Sequence, residues 1–163
     1  MKHTLSVLVV NQPGVLARVA GLFSRRGYNI DSLAVGKTED PEISRMTIVV
    51  DVDAEDEVTL EQITKQLYKL IDVIKINDIT TAEMVERELM LIKVNAPSNS
   101  RAEILQIVDI FRGKVVDVSD KALIVEATGA QEKVEALLAM LKPFGLKELA
   151  RTGKVAMVRA AGR

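Results

Sequence analysis

The order of apolar patterns along the chain predicts an α+β fold of two ferredoxin-like (βαββαβ) units. Each would be a four-stranded antiparallel sheet with two helices on one face. Three observations predict it. Period-two and helical apolar spacings follow one another as strand, helix, strand, strand, helix, strand, and that order occurs twice. The 163 residues suffice for two compact units of about 80 residues each. Apolar residues make up 48% of the chain, enough to fill two cores.

The first strand is Leu5-Ser6-Val7-Leu8-Val9-Val10, with residues 5, 7 and 9 apolar on one face and Leu8 and Val10 suggesting partial cover on the other. A turn, Asn11-Gln12-Pro13-Gly14, leads to a helix with Val15, Leu16, Val19, Leu22 and Phe23 at helical spacing. Pro13 suits a first helical turn, where its missing N–H has no intrahelical partner to lose. Arg25 and Arg26 favour the negative end of that helix, and Gly27 can supply a left-handed stop. Residues 28–35 form a less regular strand whose Ile30, Leu33 and Val35 break strict alternation, as a bulge or an edge would. Residues 38–42 make a hairpin loop, and Met46, Ile48, Val50 and Val52 alternate with polar residues in the next strand. Leu60, Ile63, Leu67 and Leu70 give a second amphipathic helix before a closing strand at 73–79.

The second half starts with a strand at 84–94. Ser100-Arg101-Ala102-Glu103 has the form of a capping box, and Ile104, Leu105, Val108 and Phe111 make the core stripe of a helix stopped at Gly113. Strands at 114–118 and 122–127 form a hairpin around Ser119-Asp120. Val134, Leu137, Leu138 and Leu141 line a helix ended by Pro143, and short strands at 146–149 and 155–158 finish the chain. The border near residues 80–83 gives domains of 1–80 and 81–163. A small sheet with helices on one face leaves its other face and its edges needing partners, so self-association is expected.

Composition excludes several function classes. Charges are 22 basic against 23 acidic, a net of -1, and they are interspersed. That balance gives no electrostatic reason to expect nucleic acid or an anionic membrane. No apolar run approaches the roughly 18 residues of a spanning helix, and the chain enters a strand pattern too early for a signal peptide. Cysteine is absent, so the expectation is a soluble, cytoplasmic protein. One histidine and no cysteine leave no Cys/His nucleophile, zinc site or redox dithiol. His3 is read as an exposed residue at a frayed strand end, where nothing would hold an imidazole for a triad. The expected catalytic and metal-binding sets are therefore empty.

The most informative segment is Asn11-Gln12-Pro13-Gly14. A helix N-terminus presents unpaired N–H groups and a partial positive charge, so it attracts a carboxylate. Gly14 lets a ligand approach the backbone, and the Asn11 amide offers a donor and an acceptor to a zwitterion. The plainer alternative is Asn11 as helix cap and Gly14 as turn residue.

Residues 5–16, Leu-Ser-Val-Leu-Val-Val-Asn-Gln-Pro-Gly-Val-Leu, and 21–33, Gly-Leu-Phe-Ser-Arg-Arg-Gly-Tyr-Asn-Ile-Asp-Ser-Leu, resemble the ACT domain. More closely, with Ser44-Arg45-Met46-Thr47-Ile48 and Val85-Glu86-Arg87-Glu88-Leu89, they are similar to the small regulatory subunits of acetolactate synthase. The resemblance is specific over residues 4–95 and mostly architectural beyond about residue 120. It implies a large catalytic subunit carrying thiamine diphosphate, magnesium and FAD, which makes acetolactate at the start of branched-chain amino acid synthesis. It implies that the small subunit activates this partner, confers feedback inhibition by valine, and forms a homodimer through its ACT domain. It further implies that Asn11, Gly14, Val15 and Leu16 hold the backbone of the effector, while Asn29 and Ile30 close the site from the neighbouring chain. In an apolar pocket one methylene changes binding by only about 1–3 kcal/mol, so leucine and isoleucine can be read as well.

The remaining signals are weaker. Asp51-Val52-Asp53-Ala54-Glu55-Asp56-Glu57 opens like a calcium loop but has Asp56 where glycine is needed and Gln62 where glutamate is needed; it is read as a solvated loop. Pro97-Ser98-Asn99-Ser100 lacks a glycine, so no equivalent ligand site is expected in the second unit. Aromatics are only 3% of residues, too few for base stacking. The competing reading is a free-standing ACT-type amino-acid sensor acting on another enzyme or on transcription.

Overall fold

The computed structural model describes residues 1–53 and 57–161. Its first six elements are β1 (Lys2–Val10), α1 (Val15–Arg25), β2 (Ile30–Lys37), β3 (Ile43–Asp51), α2 (Glu57–Tyr68) and β4 (Val73–Asp78). There follow β5 (Met84–Asn95), α3 (Arg101–Ile110), β6 (Lys114–Val118), β7 (Ala122–Gly129), α4 (Gln131–Leu141), a 3₁₀ turn (Lys142–Phe144), β8 (Leu146–Arg151) and β9 (Val155–Val158). The first sheet has the order β2-β3-β1-β4; the second has the order β6-β7-β5-β8 with β9 as a fifth strand beside β5, one more than expected, and the pairings along both orders are antiparallel. The predicted fold class is the one observed: βαββαβ, twice.

In the first unit, Leu5, Val7 and Val9 of β1 and Met46, Ile48 and Val50 of β3 point to the helical side and are buried. Val15, Val19, Leu22 and Phe23 of α1 and Ile63 and Leu67 of α2 close over them. In the second unit, Met90, Ile92 and Val94 of β5 meet Ile104 and Val108 of α3 and Val134, Leu137 and Leu141 of α4. Burying each such side chain contributes about 1.5–3 kcal/mol, so the two apolar faces supply the drive for both layers. On the exposed face of α2, Lys65 hydrogen-bonds Glu61 at 2.6 Å and holds its carboxyl below the ordinary carboxylate range.

By contacts the chain divides into Met1–Val85 with Lys154–Arg163, and Glu86–Gly153. The border therefore falls inside β5 rather than at residues 80–83, and the C-terminal stretch belongs with the first unit, not with the expected 81–163. The physical reason is the course of the last strand. The Lys154 N–H donates to Ser32 Oγ at 2.7 Å, and β9 pairs with β5. Val155 and Met157 then wall a groove of about 340 Å³ with Ala34, Gly36, Arg45 and Thr47, on the sheet face away from the helices. On that face Thr4, Ser6, Thr47 and Val49 are all buried. The expected open face is thus partly covered by the chain's own end, while Leu8 and Val10 stay half-buried.

Local expectations fare unevenly. β2 is an edge strand, and its register with β3 shifts between Ile30 and Ser32, as the broken alternation predicts. Gly27 adopts a left-handed φ of 74° after α1. Pro13 lies ahead of the helix rather than in its first turn, because Gly14 takes the N-cap position. Ser100 makes no side-chain cap on α3, so the capping box does not form. Leu105 is exposed and Ile107 buried, since residues 104, 107, 108 and 111 share the face toward the sheet. After α3 the left-handed residue is Arg112, with φ 55°, not Gly113. Gly113 is required for space instead: a Cβ there would lie 3.1 Å from Val108 Cγ1 and 3.3 Å from the Glu126 carbonyl oxygen. His3 is not at a frayed end either, because it sits inside β1 opposite Val50 with its ring close to Asp78 and Thr80. Among the described residues no helix is long and apolar enough to cross a membrane.

Candidate functional site

The corner between β1 and α1 is fixed from two sides. The Val10 N–H donates to the Asp72 carbonyl at 2.9 Å, tying the strand end to the segment before β4. The Asn11 N–H donates to the Glu42 carbonyl at 2.7 Å, and Asn11 Nδ2 donates to the Pro41 carbonyl at 2.9 Å. Asn11 is therefore held by the β2–β3 loop and does not cap α1. Its Oδ1 remains as an acceptor at the surface.

Gly14 stands at the N-cap of α1 with φ 84°, a left-handed conformation that favours glycine. No side chain caps the helix there. The first helical bond runs from the Arg18 N–H to the Gly14 carbonyl at 3.0 Å. The Val15 N–H reaches the Gln12 carbonyl only at 3.4 Å, beyond good hydrogen-bond length. The N–H groups of Leu16 and Ala17 thus head an uncapped helix end with the partial positive charge of its dipole. Val15 is buried in the core and offers the corner its backbone alone, whereas Leu16 is 45% exposed and presents an aliphatic surface beside it.

Asn29 and Ile30 stand elsewhere in the same chain. Ile30 pairs with Val50 near the end of β3, while Val10 pairs with Ile43 at its start. The seven residue steps between these rows span roughly 23 Å at the rise of a strand. A single amino acid cannot touch both groups within one chain.

Arg18 escaped the sequence reading. Its Nε and Nη2 both lie 2.8 Å from Asp72 Oδ2. A Cβ built on Gly14 would meet its Nη1 at 3.0 Å, so the guanidinium overhangs the turn. A cation four residues after a helix cap opposes the dipole, and that mismatch is the signal available in the sequence.

The corresponding corner of the second unit is built differently. The N–H groups of Ser100 and Arg101 both donate to the Pro97 carbonyl at 3.1 Å, and Arg101 Nη2 bonds the Ala96 carbonyl at 2.9 Å.

Around His3, Asp78 Oδ2 and Thr80 Oγ1 both lie 3.5 Å from the same ring nitrogen, Nδ1. A relay needs the hydroxyl and the carboxylate on opposite nitrogens, so this cluster is not a triad. Among the described residues no group of three or more His, Asp or Glu side chains could hold a metal ion. Of the acidic run read against a calcium loop, residues 54–56 lie outside the described residues.

Comparison with known proteins accords with both halves of this architecture. Residues 5–75 match the family model described as an AHAS small subunit-like ACT domain, and residues 87–160 match the one described as small subunit of acetolactate synthase. The probable acetolactate synthase small subunit of Archaeoglobus fulgidus is 57% identical over 159 residues, covering 98% of both chains. The acetolactate synthase small subunit of Mycolicibacterium smegmatis is 58% identical over 157 residues, covering 96% of this chain and 91% of that one. The crystal structure of the Thermotoga maritima small subunit superposes with a TM-score of 0.88 at 48% identity, covering 98% of each chain. Identity this high over nearly the whole length, on the same fold, makes the chain a member of the acetolactate synthase small-subunit family, with an ACT domain as its first unit.

Proposed function

We propose that this chain activates a large catalytic subunit of acetolactate synthase in the cytoplasm and confers feedback inhibition by valine on it, at a site that can also take leucine or isoleucine. It makes and breaks no bond itself. The condensation at the head of branched-chain amino acid synthesis belongs to the partner, together with its thiamine diphosphate, magnesium and FAD. The observation that carries this reading is the uncapped start of α1 at Gly14, in a chain of this family.

The effector's carboxylate meets the Leu16 and Ala17 N–H groups at the helix end, where Gly14 leaves room for it. The Asn11 Oδ1 accepts from the ammonium, and the aliphatic tail lies against Leu16. Asn29 and Ile30 come from a second copy. β2 is an outer strand, and two copies of it pairing antiparallel about a two-fold axis between Leu33 and Ala34 would bring Ile30 of the partner subunit opposite Lys37. Lys37 lies abreast of Ser44 and Val9, and Asn11 follows Val9 by two residues. This geometry supports a homodimer joined through the ACT domains with two shared sites.

A ligand at such a junction acts by preferring one arrangement of the two copies. Valine inhibits if it binds the less active arrangement more tightly, since equal binding shifts nothing. A coupling of about 1–3 kcal/mol gives roughly 5- to 150-fold modulation. The test is Gly14→Asp, which places a carboxylate where the effector's own would lie. The catalytic subunit should still be activated by the variant but lose valine sensitivity, and calorimetry should find no valine binding. Normal valine binding by the variant would refute the site, and absence of activation by the unaltered chain would refute the regulatory role.

A further inference from the structure

We infer that Arg18, held in place by Asp72, contacts the carboxylate of the bound amino acid and makes the site selective for free amino acids over carboxylate-blocked analogues. The inference rests on the amino-acid site proposed above and adds a residue and a selectivity to it.

Three observations carry it. Arg18 stands four residues after Gly14, on the same helix face, and side chains on a helix lean toward its N-terminus. Its guanidinium accordingly overhangs the turn, with Nη1 3.0 Å from the place a Gly14 Cβ would occupy. Its hydrogen bonds run through Nε and Nη2 to a single oxygen, Asp72 Oδ2. Among the described residues both hydrogens of Nη1 are left for another acceptor.

Asp72 is itself fixed, since its carbonyl accepts from the Val10 N–H at 2.9 Å and its side chain is 13% exposed. The guanidinium is therefore oriented before any ligand arrives. Its placement opposes the helix dipole. An anion between Nη1 and the Leu16 and Ala17 N–H groups removes that opposition, because both donors then face one negative charge. Gly14, which takes a left-handed φ of 84°, also leaves the space between the guanidinium and the turn open.

The experiment is calorimetry of valine and of valinamide, which lacks the carboxylate, on the full-length chain and on Arg18→Met and Arg18→Lys. In the unaltered chain valine should bind and valinamide should bind more weakly. Arg18→Met should weaken valine by about tenfold or more, the size of a lost charged hydrogen bond, while leaving valinamide unchanged. Arg18→Lys should restore part of the preference. Equal weakening of both ligands would mean that Arg18 only supports the structure, and unchanged valine binding would mean that it takes no part; either result overturns the inference while the site stands. Failure of the unaltered chain to bind valine at all would overturn the site and the inference together.

Discussion

Gly14, Gly27 and Gly113 occupy similar places in the sequence, at the borders of helices, yet they serve different needs. The first two take left-handed backbone, which a hydrophobic pattern followed by glycine makes legible. Gly113 does not; the left-handed residue is Arg112, and the glycine is there because Val108 and the Glu126 backbone leave no room for a Cβ. Only the assembled second unit shows that distinction. Arg112→Gly should therefore raise stability by up to about 1 kcal/mol in urea unfolding, by releasing a strained φ at some cost in chain entropy. Gly113→Ala should lower it by about 1–3 kcal/mol through crowding. The reverse order of the two variants would contradict the assignment. The turn that carries Asn11 and Gly14 is legible because a helix start with glycine is visible in the sequence. The bond from Asn11 to Pro41 and the clamp of Arg18 on Asp72 span 30 and 54 residues, and nothing local announces them.

At the scale of elements, the pattern of apolar residues predicts the helices and most strands because each buries one face against a single neighbouring layer. The core-facing Leu5, Val7 and Val9 alternate cleanly, and all three are buried as expected. The exception is β9. Its short Val155-Ala156-Met157-Val158 run reads as a last strand of the nearer unit and does bond β5, but no periodicity tells that it will also line the outer face of the first sheet. In the structure its Val155 and Met157 line a groove with Arg45 and Thr47 on the outer face of the first sheet. Removing residues 154–163 should therefore destabilise the first unit, by about 2 kcal/mol or more from the apolar area uncovered. Urea unfolding of the truncated chain checks this; an unchanged midpoint would show that the strand contributes nothing to that unit.

For the whole molecule, the decisive relation is between two places that one chain keeps roughly 23 Å apart, from the seven residue steps of β3 that lead from Ile43 to Val50. The site as proposed exists only between copies: the uncapped start of α1 in one and the start of β2 in the other. The sequence shows the two groups only as separate motifs; the order β2-β3-β1-β4, with β2 at the edge, gives the reason they can meet across a two-fold axis. The most direct test uses two variants expected not to bind valine, Gly14→Asp and Asn29→Ala, co-expressed with different tags so that mixed dimers can be isolated. Neither variant alone should bind valine by calorimetry. The mixed dimer should recover one binding event per dimer, because one of its two sites then combines an unaltered turn with an unaltered strand. If the mixed dimer binds no more valine than the variants do separately, the site is not shared between chains and the account is wrong.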